Sequence, residues 1–329
     1  MKTLLHYLFT GKSLSEEQAY IALKDIASGN QNDAQIAAFL TVYNMRMVTV
    51  HELTGFRKAM LELAIPVKFK QKNTLDIVGT GGDGKDTFNI STLACFVCAG
   101  AGLKVTKHGN YSVSSVSGSS NVLEFLGIQF AAKQDKLNEQ LDKANITFLH
   151  APLFHPAMKN VANVRKQLQV KTIFNILGPI VNPCQPKSMI IGVHNEAIGK
   201  LYKDVLKHSD INFNIVHALD VYDEISLTGD TRIFTKNSAK IHEPKSFGFQ
   251  VIKPEELYGG KTIAANAKLF TDILKGKGTE AQNNVVLANA ALAISLCMEN
   301  SYHAALSLAK DSLSSGKAYE CFTKLKAIG

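Results

Sequence analysis

Across the first 65 residues apolar side chains recur three and four positions apart, as in Ile36, Phe39, Leu40, Tyr43 and Met47. That spacing gathers them on one face of an α-helix and leaves the polar residues between them on the other. Helix starts are readable as well: Ser13 precedes Glu16, Asn32 precedes Gln35 and Thr49 precedes Glu52, each with the spacing of a capping box. Residues 1–65 are therefore expected to form a small helical domain. Pro66 and the lysine-rich stretch from Val67 to Asn73, with Lys68, Lys70 and Lys72, predict a linker.

From residue 74 the pattern changes to short apolar runs separated by longer helical stretches. Leu75–Val78, Leu103–Thr106, Ile146–Leu149, Met189–Val193 and Asn214–Ala218 are the candidate strands. Strands alternating with helices specify an α/β domain over 74–329, with a central, mostly parallel sheet flanked by helices. Ligands of such sheets sit beyond the carboxyl ends of the strands. The unusual polar residues fall in the segments that follow those strands: Gly79–Asp83, Lys107–Asn110, Ala151–His155 and Asp220–Glu224.

The first of these is the most informative. Gly79-Thr80-Gly81-Gly82-Asp83-Gly84-Lys85-Asp86-Thr87-Phe88-Asn89-Ile90-Ser91-Thr92 follows an apolar run and opens into a helical stretch from Ser91 to Ala101. A strand, a glycine turn and a helix start gather backbone N–H groups around one point, where a phosphate meets the positive end of the helix dipole. Gly79, Gly81 and Gly84 also fit the dinucleotide fingerprint, which requires an acidic residue about 20 positions on; Leu103-Lys104-Val105-Thr106-Lys107-His108 supplies none. Gly79 to Lys85 fits a P-loop, but Asp86 stands where a magnesium-binding Ser or Thr is needed. A phosphorylated ligand survives both tests; a nicotinamide cofactor and a P-loop nucleotide do not.

Composition narrows the class further. With 46% hydrophobic and 19% charged residues in 329, the chain is an ordinary globular protein large enough for two domains. No apolar run approaches the roughly 20 residues of a membrane span. The start Met1-Lys2-Thr3-Leu4-Leu5-His6-Tyr7 lacks a signal peptide's apolar region and cleavage site. Five cysteines without a framework fit a reducing compartment, so a cytoplasmic protein is expected. A formal charge of +8 favours anionic partners. The basic residues are scattered and not interleaved with aromatics, so no nucleic-acid partner is expected.

Three more clusters carry chemistry. Lys107-His108-Gly109-Asn110-Tyr111-Ser112-Val113-Ser114-Ser115, running on to Ser119, packs a cation, an imidazole, an amide and hydroxyls into one segment, a donor density suited to a polyanion. Asp223-Glu224 follows the apolar run Phe213–Leu219. A pyrophosphate site uses magnesium held by one or two carboxylates and the phosphates, and these two are the obvious donors. Asp83, inside a phosphate loop, also calls for a nearby metal, ribose hydroxyl or amine. In the fourth cluster, from Ala151 through His155 to Asn163 and Arg165, Arg165 could bind a carboxylate substrate bidentately. Cys95 and Cys98 form a C-x-x-C pair among Ala94, Phe96, Val97 and Ala99; without a second pair they are read as buried packing.

Taken in order, these blocks resemble the anthranilate phosphoribosyltransferase family, of the nucleoside phosphorylase and class III phosphoribosyltransferase fold. The resemblance covers almost the whole chain, extending to Gly259-Gly260, Asn266-Ala267 and Ser315-Gly316-Lys317-Ala318. It implies transfer of the phosphoribosyl group of phosphoribosyl pyrophosphate to the amine of anthranilate, the second step of tryptophan synthesis. It further implies that Gly79, Gly82, Asp83, Thr87, Asn89, Ile90, Ser91 and Thr92 hold phosphoribosyl pyrophosphate, with Lys107, His108, Gly109, Asn110, Tyr111, Ser112, Val113, Ser114, Ser115 and Ser119 completing the cradle. Ser91, Asp223 and Glu224 are the implied ligands of Mg2+, two ions per subunit. Gly79, Asn110, Arg165, His108 and His155 would receive anthranilate, and Asp83, Lys107, Asp223 and Glu224 would be catalytic. A homodimer through the helical domain is implied too, that domain being joined by a segment near 163–183.

The chain departs from the family at Tyr111, where Arg is usual, at Val116, where Lys is frequent, at Asn121 for Asp and at Thr279 for Pro. Two cations are thereby lost from the phosphate loop, and weaker holding of phosphoribosyl pyrophosphate, or compensation by other groups, is expected. Two alternatives share the fold. A pyrimidine nucleoside phosphorylase would differ at Lys107–Asn110 and has less use for a two-metal diphosphate site. A nucleic-acid-binding relative without enzymatic activity would not need the glycine loop, Ser91 and Asp223-Glu224 together.

Overall fold

The computed structural model describes residues 1–111 and 118–329. Ser112, Val113, Ser114 and Ser115, assigned above to the phosphate cradle, and Val116 lie outside the described residues.

The N-terminal part is helical: α1 (Lys2–Phe9), α2 (Glu16–Ala27), α3 (Asp33–Met45) and α4 (Val50–Leu63). Asn32 and Thr49 cap α3 and α4 as their spacing predicts. The third start is corrected: the reciprocal cap of α2 is Ser15 with Gln18, not Ser13 with Glu16. Leu14 is buried and its N–H donates to Glu52 Oε1 at 3.0 Å, which holds the chain extended until Ser15. Glu52 has no exposed surface; besides Leu14 it accepts from Thr49 N at 2.9 Å and pairs with Arg46 Nη2 at 2.6 Å. One carboxylate thus closes α4's start, the entry to α2 and the end of α3.

The α/β part runs β1 (Thr74–Gly79), α5 (Ile90–Gly100), β2 (Lys104–Gly109), α6 (Ser119–Phe125), α7 (Gln134–Ala144), β3 (Ile146–His150), then α8 (Ala151–Phe154), α9 (Lys159–Leu168) and α10 (Ile173–Leu177). It continues through β4 (Ser188–Gly192), α11 (Glu196–Leu206), β5 (Asn212–Ala218), β6 (Thr231–Phe234) and β7 (Ala239–His242) to α12 (Ile263–Leu274), α13 (Glu280–Met298), α14 (Tyr302–Ser314) and α15 (Lys317–Ile328). The sheet order is β3-β2-β1-β4-β5-β6-β7, parallel from β3 to β5 and antiparallel beyond. Chain connections leave β1 toward β2 on one side and β4 toward β5 on the other. The gap between the carboxyl ends of β1 and β4 is therefore the topological switch point, where ligands of such sheets bind.

Several boundaries differ from expectation. β2 extends to Gly109, because Lys107, His108 and Gly109 stay in register with Phe148, Leu149 and His150 of β3. The apolar run ends three residues earlier, so those residues read as loop. Ala151–Phe154 is a short helix rather than a loop. β6 and β7 went unread: each is four residues long, and β7 is mostly exposed at the sheet edge, with no buried face to leave a pattern. Lastly, α13 is a 19-residue helix of mean hydropathy 1.3, long and apolar enough to cross a membrane by length and composition. Gln282, Asn283, Asn284 and Asn289 interrupt its apolar run and hid this. Eleven of its residues, from Ala281 to Ile294, are buried, and α13 is the central helix of the core on one side of the sheet.

The opposite core is continuous across the two parts. Phe39, Phe56 and Leu23 of the helical part, Val164 of α9 and Phe174 of α10, and Ile191 and Ile215 of the sheet belong to one apolar cluster.

Replacing Glu52 by Ala removes a cap, leaves Leu14 N–H without its acceptor and takes from Arg46 its carboxylate partner; unfolding in urea should show a loss of about 3 kcal/mol. An unchanged midpoint would show that this carboxylate does not organise the helical part.

Candidate active site

The switch point is built around Asp223. A Cβ on Gly79, the last residue of β1, would lie 2.3 Å from Asp223 Oδ2, and one on Gly192, the last of β4, 1.6 Å from the Asp223 carbonyl oxygen. Only glycines at both strand ends let the 220–229 loop lie across them. Asp223 Oδ2 then accepts from Gly81 N at 2.7 Å, and Glu224 Oε1 accepts from Ser91 N at 3.1 Å in the first turn of α5. Behind them, Asn289 of α13 grips the next peptide, accepting from Ile225 N at 3.1 Å and donating to Ile225 O at 2.9 Å.

Asp83 joins this pair. Its Oδ1 accepts from Lys85 N at 3.2 Å, while Asp83 Oδ2 and Glu224 Oε2 are buried without a donor among the described residues. Burial, reinforced by Asp83, pushes Asp223 up to about 6, and burial with both neighbouring carboxylates pushes Glu224 well above its ordinary value. Donorless carboxylate oxygens converging in a buried place fit a hard cation. Among the described residues no three His, Cys, Asp or Glu side chains form a metal cage. Of hard cations, Mg2+ is the one that uses one or two carboxylates and completes its shell with water and phosphate oxygens.

The glycine loop offers the complementary surface. Gly81, Gly82 and Gly84 have φ of 63°, 75° and 73°. Among the described residues the N–H groups of Gly82, Asp83 and Gly84 carry no protein acceptor. The loop is held from behind: Phe88 N donates to Leu257 O and Gly259 N to Asp86 O, and Asn266 closes on both backbone groups of Gly260. This explains the Gly259-Gly260 and Asn266 block.

Lys107 is nearly fully buried and its Nζ donates to Ile77 O at 2.7 Å, with Asp76 and Glu224 sharing its field. Asp76 was passed over in the sequence because it sits inside an apolar run. It is wholly buried in β1, accepts from Asn182 Nδ2 at 2.8 Å and His108 N at 3.2 Å, and burial pushes it up to about 6. Asn289, Asn182 and Gly192 likewise left no local signal; each is read only from its partner elsewhere in the chain.

A cavity of about 510 Å³ joins these groups. It is lined by Gly79, Gly82, Asp83, Thr87, Asn89, Ser91, Thr92, Lys107, His108, Gly109, Asn110, Tyr111, Ser119, His155, Arg165, Asp223 and Glu224. Ile90, expected at the site, is turned into the core instead, because the first turn of α5 needs an apolar anchor there. At the other end of the cavity the His108 and His155 rings lie 5.2 Å apart. Burial holds His108 down to about 3 and His155 to about 4, so both are neutral at pH 7. The Arg165 guanidinium, from the last turn of α9, lies over Phe174 at 5.5 Å.

Three of the family departures, at Tyr111, Asn121 and Thr279, have local partners. The Tyr111 hydroxyl donates to Glu124 at 3.1 Å, Asn121 accepts from Gly118 N at 3.0 Å, and Thr279 caps α13 with Gln282. Cys95 and Cys98 are buried, and burial pushes Cys95 up to about 12.

Comparison with known proteins adds the following. Residues 71–319 match the glycosyl transferase family a/b domain, and residues 2–64 the helical bundle domain of the same family. An anthranilate phosphoribosyltransferase of Flavobacterium johnsoniae is 52% identical over 328 residues, covering 100% of this chain and 99% of that protein. The crystal structure of the Thermus thermophilus anthranilate phosphoribosyltransferase superposes with a TM-score of 0.92 at 33% identity, over 98% of each chain. The Saccharomyces cerevisiae enzyme in complex with phosphoribosyl pyrophosphate and Mg superposes at 0.91 with 26% identity, over 99% of this chain and 98% of that one.

His155 stays neutral in the fold down to about pH 4, whereas in the unfolded chain it takes up a proton below its ordinary 6.5. It therefore stabilises the fold above that value and ceases to as pH falls through the window, at about 1.4 kcal/mol per pH unit. Urea midpoints at pH 7 and pH 5 should show a smaller acid loss in His155→Asn than in the parent chain. Equal losses would mean that this imidazole is not held neutral.

Proposed function

The chain belongs to the anthranilate phosphoribosyltransferase family, and from that premise we propose that the cavity at the β1–β4 switch point is where the phosphoribosyl group passes to the anthranilate amine. The reaction is the family's step in tryptophan biosynthesis, and it releases pyrophosphate. The reading of the site rests above all on one observation: among the described residues Asp83 Oδ2 and Glu224 Oε2 are buried without a donor, beside Asp223 and a glycine loop in which the Gly82, Asp83 and Gly84 N–H groups carry no protein acceptor. A diphosphate needs the second surface and its metal the first.

In this reading the diphosphate lies along Gly79–Asp83 and the first turn of α5, with Ser91 and Thr92 at its edge. Asp223, Glu224 and Ser91 hold Mg2+, two ions per subunit, which neutralises charge growing on the leaving diphosphate. Lys107 adds a fixed positive charge beneath it, kept in place by the Ile77 carbonyl. Arg165 receives the anthranilate carboxylate, and Asn110, Gly79 and the neutral His108 and His155 shape the space for ring and amine. The C1–N bond forms as the C1–O bond to pyrophosphate breaks, through an oxocarbenium-like state, and the nitrogen then loses its proton. An aromatic amine is already unprotonated at neutral pH, so positioning outweighs a strong base.

The division into domains 1–65 and 74–329, with 163–183 joined to the first, belongs to the same proposal, as does a homodimer. Exposed Phe9, Ile21, Met45 and Met47 on the helical part support burial against a second copy. Five free cysteines support a reducing, cytoplasmic setting; the scattered basic residues are the ground for expecting no nucleic-acid partner, and no membrane partner belongs to the reading.

Anthranilate fluorescence should disappear only when phosphoribosyl pyrophosphate and Mg2+ are both added. Phosphate-dependent cleavage of pyrimidine nucleosides, without anthranilate consumption, would assign a nucleoside phosphorylase instead. Changing Asp223→Asn together with Glu224→Gln should lower kcat by about 10²-fold or more at saturating Mg2+; intact turnover would remove the acidic pair from the mechanism.

A further inference from the structure

Lys171 is an exposed residue in the short segment between α9 and α10, and its ammonium donates to Gly82 O across 89 positions of chain. The lysine tip comes close to the loop backbone: Gly82 stands at φ 75°, and a Cβ there would lie 2.6 Å from both Lys171 Cε and Nζ. Its charge also reaches His194, whose Nδ1 is 3.1 Å from Thr80 Oγ1 in the same loop and which Asp83 influences as well.

Three cations of the cavity wall are engaged elsewhere, and Lys159 lines it as well. Lys107 is bound to Ile77 O, Lys85 lies over the Tyr222 ring at 4.7 Å, and Arg165 lies over Phe174. Among the described residues Lys171 is the one side-chain cation bonded to the backbone of the glycine loop. In a trans peptide the C=O and N–H point in opposite directions. A cation fixed on Gly82 O therefore sets the direction of the Asp83 N–H, a group with no protein acceptor, and polarises it toward an anion on the other side.

We propose that Lys171 is a positioning residue for phosphoribosyl pyrophosphate: by clamping the Gly82–Asp83 peptide it aims the Asp83 N–H at the diphosphate and offsets the charge of Asp83. This rests on the assignment of the cavity to phosphoribosyl pyrophosphate. The clamp comes from the segment whose neighbours Val164, Ile173 and Phe174 lie in the same core as the helical part. It thus ties the helical side of the cleft to the substrate loop.

The test uses the full chain, with calorimetric titration of phosphoribosyl pyrophosphate in Mg2+ alongside steady-state kinetics and Tm. Lys171→Met should raise Kd and KM for phosphoribosyl pyrophosphate about tenfold while KM for anthranilate stays within about twofold. kcat should fall by less than KM rises, Tm should hold, and Lys171→Arg should recover most of the affinity. An unchanged Kd in Lys171→Met, or a parallel loss for both substrates with a lowered Tm, would reduce Lys171 to a structural tether. A parent chain that binds phosphoribosyl pyrophosphate without consuming anthranilate would overturn the reaction instead, and the Kd comparison would still decide Lys171. A parent chain that does not bind it would overturn both.

Discussion

The packing of Asp223 against the ends of β1 and β4 is the constraint on which the site depends. The two strands diverge in their onward connections, and the space between their carboxyl ends is open only because Gly79 and Gly192 have no side chains there. The 220–229 loop occupies that space, so Asp223 reaches the glycine loop and Glu224 the first turn of α5. Parallel strand topology creates the crevice, and two missing Cβ atoms turn it into an acidic centre. Asn289 closes the arrangement from below by holding the Ile225 peptide at both ends.

Charge around this centre is balanced by burial as much as by pairing. Asp76 and Glu224 flank the buried Lys107, and the position of Lys107 is set by the Ile77 carbonyl, to which its ammonium donates. At the other end of the cavity the two imidazoles are uncharged at neutral pH because water is excluded from them. One cavity wall therefore combines acidic groups and a buried cation with two uncharged imidazoles. Arg165, also in that wall, lies over the Phe174 ring.

The sequence revealed what is local. Helical periodicity in the first 65 residues, the glycine loop after β1 and the adjacent carboxylates after β5 can each be recognised from a few consecutive residues, and they mark the helical part, the glycine turn and the acidic pair at the cavity. It concealed what depends on contacts between distant segments. Asp76 is indistinguishable from a chance polar residue in a strand until Asn182 and His108 are seen to hydrogen-bond to it. Ser13 looked as good a cap as Ser15 because Glu52's hold on Leu14 lies 38 positions away. The end of β2 was misplaced because Lys107 and His108 are polar residues that a strand tolerates only where a cavity opens beside it. Short, exposed β7 has no buried face at all.

Helix α5 begins at the substrate cavity and is buried nearly throughout, with Ser312 of α14 donating to its Val97 carbonyl at 2.7 Å and Cys98 Sγ to Ala290 O of α13 at 3.6 Å. It is a rigid strut whose far end is seated in the last 50 residues of the chain. Sequence change in those C-terminal helices is consequently felt at the cavity: their packing bears on where α5 sits, and Ser91 in its first turn lines the cavity wall. The tail of the chain is in this way part of what shapes the cavity.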